Sequence, residues 1–329
     1  MSPSRLFREC VVLALLNGTA LVGANPFMGE YKGTYHPDGK TSMEAFAQVV
    51  AEGDDVHYRV VIGAKPQKEN QHGIHTELYA HRKGSTVHIG GPAGGYYWNG
   101  QIQNGHLSVR TGYGQHVELE KTVRKSPTEG LKPPQDAVLL LPFQEGRTAD
   151  MNAWRNTQWK ALNNGVIQVN KGSNNSKQLF GDIEHFHLEF KLPLEPNKRG
   201  QGRGNSGVYF AGTFEVQVLD SFGITAYTNG DCGGLYNLKR ASVNACLPPE
   251  TWQTYDVKFR APRLNADGSI RENARITVHH NNVLIHNDVE IPYSGDRWKG
   301  KKAATGPIHL QDHSHPIQYR NIWLVEAKP

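Results

Sequence analysis

The chain has 329 residues, with 37% hydrophobic, 20% charged and 35 glycines. That composition suits a turn-rich globular β protein and excludes a disordered chain or a coiled coil. The formal net charge is +5, with Lys and Arg scattered and no basic block interleaved with aromatics, so nucleic acid is excluded as an expected partner.

The first segment sets the compartment. Arg5 and Arg8 precede the apolar run "VVLALLNGTALVGA". Val22 and Ala24 occupy the −3 and −1 positions of a signal-peptidase site, so residues 1–24 read as a signal peptide and the mature chain starts near Asn25. The run is too short to span a bilayer comfortably, and no later segment resembles a membrane span. The expected location is periplasmic or extracellular. Cys10 leaves with the signal, and the pair Cys232 and Cys246 remains. An even pair in an exported chain predicts a disulfide, which would contribute on the order of 3 kcal/mol by closing a short loop. Two buried reduced thiols are the alternative.

Residues 25–124 alternate like short antiparallel strands. "EAFAQVVAEGDDVHYRVVIG" turns at Gly53-Asp54-Asp55, "HTELYAHRKGSTVHIGG" at Lys83-Gly84-Ser85, and "WNGQIQNGHLSVRTG" at Asn104-Gly105, a strong hairpin signal. The expectation is a small all-β module, with no concentration of catalytic residue types. "KSPTEGLKPPQDA" then breaks the pattern, so residues 125–136 read as a Pro-rich linker or an ordered crossover.

From Ala137 to the end the β pattern resumes: "GVIQVNKG", "HFHLEFKLPL", "SGVYFAG", "FEVQVLD", "TYDVKFRAP", "ARITVHHNNVLIHNDVEI", "GPIHLQDH" and "IQYRNIWLVEA" are each strand-like. Many short strands punctuated by Gly, Asn and Pro predict a β-sandwich or jelly roll. No dinucleotide fingerprint, phosphate loop or nucleophile elbow occurs. His185 and His187, which alternate with Phe186 and Leu188, are expected to face outward. His279, His280 and His286 are expected on an exposed hairpin.

Two stretches concentrate polar chemistry. In "FEVQVLDS", Glu215 and Gln217 share one face of a strand, opposite Phe214, Val216 and Val218, with Asp220 just past its end. In "QDHSH", Gln311 and His313 share a face if the strand continues, and His315 joins them if it continues further. Asp220 and Asp312, near strand ends, are placed to orient a histidine. Asn205, in the Gly-rich turn "GRGNSGVYF", reads as a contact to a substrate hydroxyl or a metal, or as a turn residue. Tyr236 and Trp252 read as sugar-stacking platforms or as core and rim aromatics.

Four segments in this order, "FHLEFKLP…GNSGVYFAGTFEVQVLDS", "CGGLYNLKRASVNACLPPETWQTYDVKFRA", "ITVHHNNVLIHNDVEI" and "GPIHLQDHSHPIQYRNIWL", resemble the 3-keto-disaccharide hydrolase domain family over about residues 137–327. The N-terminal module with "RKSPTEGLKPP" also resembles an extension that precedes this domain in some members. One departure falls at the start: where the family opens on a Phe-Asp-Gly-like turn and a later Trp, this chain has Phe143-Gln144-Glu145-Gly146, followed by Trp154.

The resemblance implies a concanavalin-like β-sandwich whose concave sheet forms a glycan cleft. It also implies an enzyme acting on glycosides already oxidised at C3 by a separate oxidoreductase. The ketone acidifies the C2 proton, the aglycone leaves by elimination across C1–C2, and addition of water completes a net hydrolysis. A divalent metal is the implied cofactor. On that reading Glu215 and His313 are the core pair, as metal ligands or as base and acid, with Asp220 beside them. Asn205, Gln217, Tyr236, Gln311 and Trp252 are then substrate contacts. Two alternatives stand beside it. A laminarinase-type glycosidase places Glu-x-Asp-x-x-Glu on one strand, whereas this strand offers Glu-x-Gln-x-x-Asp. A non-catalytic carbohydrate-binding module would carry mainly aromatics on its concave face.

Overall fold

The computed structural model describes residues 25–328 except 55, 66–72 and 293–303. The expected signal peptide, residues 1–24, lies outside the described residues.

The first module is a closed antiparallel barrel in simple up-and-down order. Its strands are β1 (Gly29–His36), β2 (Met43–Ala51), β3 (His57–Ala64), β4 (Ile74–Lys83), β5 (Thr86–Ala93), β6 (Tyr96–Gln103), β7 (His106–Thr111) and β8 (His116–Thr122), and β1 pairs with β8 to close the ring. Closure removes the unpaired edges that an open sheet of this size would expose. Each strand alternates, so Tyr31, Val60, Trp98, Ile102, Leu107 and Leu119 fill the interior. Asn104 and Gly105 both have positive φ (52° and 80°), as a two-residue primed turn between β6 and β7 requires.

The second module is a two-layer all-β sandwich, in agreement with the fold class expected from sequence. Its large sheet runs β10 (Lys160–Ala161), β11 (Ile167–Gln168), β22 (Gln318–Glu326), β13 (Ile183–Lys191), β16 (Trp252–Arg260), β19 (Ala274–His280) and β20 (Val283–Ile291), with β9 (Val138–Leu141) also paired to β22. The small sheet runs β12 (Asn174–Asn175), β21 (His309–Leu310), β14 (Ser206–Phe210) and β15 (Phe214–Val218). A two-stranded ribbon of β17 (Arg263–Leu264) and β18 (Ile270–Glu272) stands apart. Phe186, Leu188, Phe190 and Tyr255 from the large sheet meet Val208, Phe210, Phe214 and Val216 from the small one, and all are buried. Trp154 is also buried and donates its indole N–H to Leu140 O at 2.9 Å, whereas Phe143 is 46% exposed. The departure from the family's opening turn therefore lies on the surface.

Several histidines depart from expectation. His187 is buried on the outer face of the large sheet, because residues 125–136 lie across that face. Ser126 and Thr128 hydrogen-bond with Thr254, both at 2.7 Å, and Gly130 N donates to Glu189 Oε1 at 2.6 Å. Under this cover Asp256 accepts from the rings of both His185 (3.0 Å) and His187 (2.7 Å). Burial by itself lowers the His187 pKa, but hydrogen bonds to Asp256 and Glu189 outweigh it and raise it. His280 and His286 are buried as well. Burial depresses the His280 pKa to about 3, and the Arg124 charge pushes the same way.

The two modules touch at the end of the sandwich that carries β15. Arg59 donates to Gly223 O at 2.9 Å, Gly53 N to Pro196 O at 2.8 Å and Arg203 to Ala51 O at 3.3 Å. Val50 of β2 belongs to the sandwich's hydrophobic core rather than the barrel's. Among the described residues no helix is long and apolar enough to cross a membrane.

Candidate active site

β14 and β15 form an antiparallel hairpin in which Tyr209 faces Glu215 and Gly207 faces Gln217. Val208, Val216 and Val218 point into the sandwich, so Tyr209, Glu215 and Gln217 share the outer face of the small sheet. The free edge of β15 is extended by residues 233–236: Gln217 N donates to Gly234 O at 2.9 Å and Gly233 N to Gln217 O at 2.9 Å, which brings Tyr236 to the same face. On the other side, Gln311 N donates to Gly207 O at 2.9 Å, which sets the segment after β21 beside the hairpin.

These elements enclose a cavity of about 360 Å³, lined by Gln201, Asn205, Tyr209, Thr213, Glu215, Gln217, Tyr236, Gln311 and His313. Six of the residues singled out from sequence therefore converge: Glu215, Gln217, Asn205, Tyr236, Gln311 and His313. β21 ends at Leu310, so Gln311 and His313 reach the cavity from a loop rather than from a continuing strand.

Gly207 makes the central geometry possible. A Cβ at that position would lie 2.9 Å from Tyr209 Cε2 and 3.1 Å from Glu215 Cδ, with Glu215 Oε1 nearer still. The Glu215 carboxylate thus lies over the backbone of β14, in the space a side chain would fill.

An amide cluster forms one wall. Gln217 Nε2 donates to Gln201 Oε1 and to Gly230 O, each at 3.1 Å. Asn205 Nδ2 donates to Gln201 O at 2.7 Å, and Gln201 Nε2 to Gly230 O at 2.7 Å. The N–H groups are therefore used within the protein, while Gln217 Oε1 and Asn205 Oδ1 are buried without a hydrogen-bond partner. A buried acceptor left unmatched costs on the order of 1–3 kcal/mol, so these two oxygens are poised for a ligand that brings donors or a cation. Opposite them, Gln311 Nε2 donates to Tyr209 Oη at 3.1 Å.

Four expectations need correction. Asp220 does not reach the cavity: it is buried in an ion pair with Arg203 at 2.6 Å. Burial pushes its carboxyl pKa up against the pull of that guanidinium. Asp312 orients no histidine; it ties loops, accepting from Gly172 N at 2.7 Å and Ser314 N at 2.7 Å. A carboxylate does hold a histidine nearby, but it is Glu195, whose Oε2 accepts from His315 at 2.6 Å. Trp252 lies on the large sheet under the Arg320 guanidinium, 4.1 Å from its ring centre, and not in the cavity. Cys232 and Cys246 are free, buried thiols rather than a disulfide. Cys232 meets Tyr255 Oη at 3.3 Å, and Cys246 donates to Leu247 O at 3.4 Å.

The expected metal ligands were Glu215 and His313. Among the described residues no group of three His, Cys, Asp or Glu is arranged to hold a metal ion, and the cavity lining has only Glu215 and His313 of these types, so the donor set does not suit a tetrahedral zinc-type centre. It does suit a hard cation, because the Glu215 carboxylate sits with the two unmatched amide oxygens of Asn205 and Gln217.

Gln201, Tyr209 and Thr213 line the cavity without having been singled out. Tyr209 was legible in principle: strand pairing across the Ala211-Gly212 turn places it opposite Glu215. Gln201 precedes β14 in a short 3-10 turn (Gly200–Gly202), and no periodicity announces it.

The all-β sandwich carries a polar cavity on its small sheet, and the family match and a 35%-identical crystal structure indicate a carbohydrate-active protein of the glycosyl-hydrolase kind. Residues 142–325 match the 3-keto-alpha-glucoside-1,2-lyase-like domain, and the chain belongs to that family. A crystal structure from Parabacteroides distasonis ATCC 8503, provisionally described as a glycosyl hydrolase, is 35% identical with a TM-score of 0.53, covering 59% of this chain and 85% of its own. A second protein from that organism with the same description is 14% identical with a TM-score of 0.40, covering 63% of this chain and 99% of its own. No curated protein matches. The barrel lies outside the family match.

Proposed function

We propose that this protein cleaves 3-keto-glycosides by elimination across C1–C2. The observation that carries the reading is a cavity with one carboxylate, Glu215, set beside two buried and unmatched amide oxygens. Direct hydrolysis at the anomeric carbon uses two carboxylates flanking the scissile bond. The second acid of this strand, Asp220, is instead buried against Arg203. A single base suffices when the substrate's own ketone acidifies the proton to be removed.

In this mechanism Glu215 takes the C2 proton. The electron pair moves toward the C3 oxygen, and its return expels the aglycone oxygen from C1, leaving an unsaturated 3-keto sugar. His313, at the exposed rim, gives a proton to the departing oxygen. Tyr209, held by Gln311, is placed to donate to the C3 oxygen as charge develops there. Gln217 Oε1 and Asn205 Oδ1 accept hydroxyls of the sugar, and Tyr236 covers a ring face. A hard divalent cation, when bound, would be held by Glu215 and the amide oxygens of Asn205 and Gln217, and would supply an electrophile for the ketone. Water adding across the new double bond completes net hydrolysis.

The substrate is produced by a C3-oxidising oxidoreductase acting first. We place the protein outside the cytoplasm, on the charge and apolar pattern of residues 1–24. The test is incubation of the mature protein with a 3-keto disaccharide and with its unoxidised parent, each with and without chelator. Cleavage of only the keto sugar, lost with chelator and lost in Glu215→Gln, supports the mechanism. Cleavage of the parent disaccharide refutes it in favour of an ordinary glycosidase.

A further inference from the structure

The cavity on the sandwich leaves the barrel without a role, yet the barrel carries a second groove. We propose that the outer face of β5–β8 is a separate glycan-binding site that holds a polysaccharide chain. This rests on the barrel alone and does not depend on the chemistry assigned to Glu215.

Strand alternation builds the surface. Trp98 and Ile102 fill the barrel, so Tyr97, Asn99 and Gln101 form an outward column on β6. Leu107 and Val109 do the same on β7 and turn Ser108 and Arg110 outward. Register then aligns the columns: Gln101 sits opposite Ser108, Asn99 opposite Arg110, and Arg110 opposite His116 of β8. The result is a groove of about 620 Å³ in which Asn99, Gln101, Arg110, His88 and His116 present polar groups.

Two features distinguish it from an ordinary solvated face. The groove's carboxylate, Glu118, is already engaged, accepting from Ser108 at 2.8 Å and His106 at 2.7 Å. It therefore does not draw in Arg110, which has no ion pair or hydrogen-bond partner among the described residues, and neither do the amides of Asn99 and Gln101. Moreover, the outward column of β6 continues beyond the groove's amides into an exposed aromatic. Tyr97, on the same outward face of β6 as Asn99 and Gln101, is 66% exposed. Single exposed aromatics are normal, but one standing in line with unengaged amides and a guanidinium offers the flat face on which a sugar ring can stack. A sugar ring matches both parts, laying its C–H face on a tyrosine and its hydroxyls on amide and guanidinium groups.

The test is affinity electrophoresis of the full mature chain in native gels containing starch, hydroxyethyl cellulose, xylan or polygalacturonate. Wild type is compared with Tyr97→Ala, Arg110→Ala and Glu215→Gln, with melting temperatures confirming that each variant is folded. We expect retardation in at least one gel, an apparent affinity roughly tenfold lower in both barrel variants, and no change in Glu215→Gln. No retardation in any of the four gels would overturn the proposal. So would retardation that survives in either barrel variant, or that disappears in Glu215→Gln, since the last outcome would place binding in the sandwich cavity.

Discussion

Replacing Gly207 by alanine should separate activity from stability. The added Cβ would lie 3.1 Å from Glu215 Cδ and 2.9 Å from Tyr209 Cε2, with the carboxylate oxygen nearer still. Carbon atoms prefer about 3.5–4.0 Å, so these side chains must retreat by something near 1 Å. The obstructing atoms belong to side chains and not to backbone, and Gly207 has no positive φ. The strand can therefore accept alanine, and the substitution removes chain entropy from the unfolded state, a gain of about 0.4–1 kcal/mol. The melting temperature should stay level or shift by a few degrees. Catalysis should not stay level, because a misplacement of about 1 Å in a reacting group costs roughly 10²-fold, or about 2.7 kcal/mol in the barrier. The assay is kcat/KM for aglycone release from a 3-keto disaccharide, alongside thermal unfolding. Activity within twofold of wild type in a stable Gly207→Ala protein would refute the placement of Glu215 over Gly207 as a catalytic requirement.

Other consequences are equally specific. Asp220→Ala leaves Arg203 buried without its partner and should destabilise the fold by about 3–5 kcal/mol, read as a lower urea midpoint; a midpoint within error of wild type would contradict a structural role for the pair. His187 has a folded pKa raised above its usual 6.5, so its stabilisation is complete below pH 6.5 and fades as pH rises through the folded value. The melting-temperature gap between wild type and His187→Gln should therefore be largest near pH 6 and shrink by pH 9, and a gap that grows with pH would reverse the assignment. Cys232 and Cys246 are both free, so the unfolded, unreduced mature protein should react with two equivalents of a thiol reagent, and its melting temperature should not respond to reductant.

The sequence revealed most where a residue's role follows from strand periodicity. Glu215 and Gln217 were legible as a polar face because Phe214, Val216 and Val218 alternate with them, and the structure puts that face on a cavity. The hairpin at Asn104-Gly105 was legible because only certain residues accept its backbone. What stayed hidden depends on contacts distant in sequence. His187 has the same alternation as an exposed residue, and only the crossing of residues 125–136 buries it. Asp220 reads from sequence as a second active-site acid beside Glu215, but Arg203, brought close by the turn before β14, pairs with it. Trp252 carries no local sign of which sheet face it occupies, and Arg320, which covers it, arrives from the far end of the chain. Gln201 was illegible because its importance lies in the two amides it holds.

The central claim is that the C2 proton leaves during cleavage. Its most direct test follows the original C2 hydrogen of a C2-deuterated 3-keto disaccharide through turnover in ordinary water, against a no-enzyme control for spontaneous exchange. Elimination predicts slower aglycone release than from the undeuterated substrate and sugar product that has lost the label from C2. Release at an unchanged rate, with deuterium still at C2, would contradict the account and return the chemistry to displacement at the anomeric carbon.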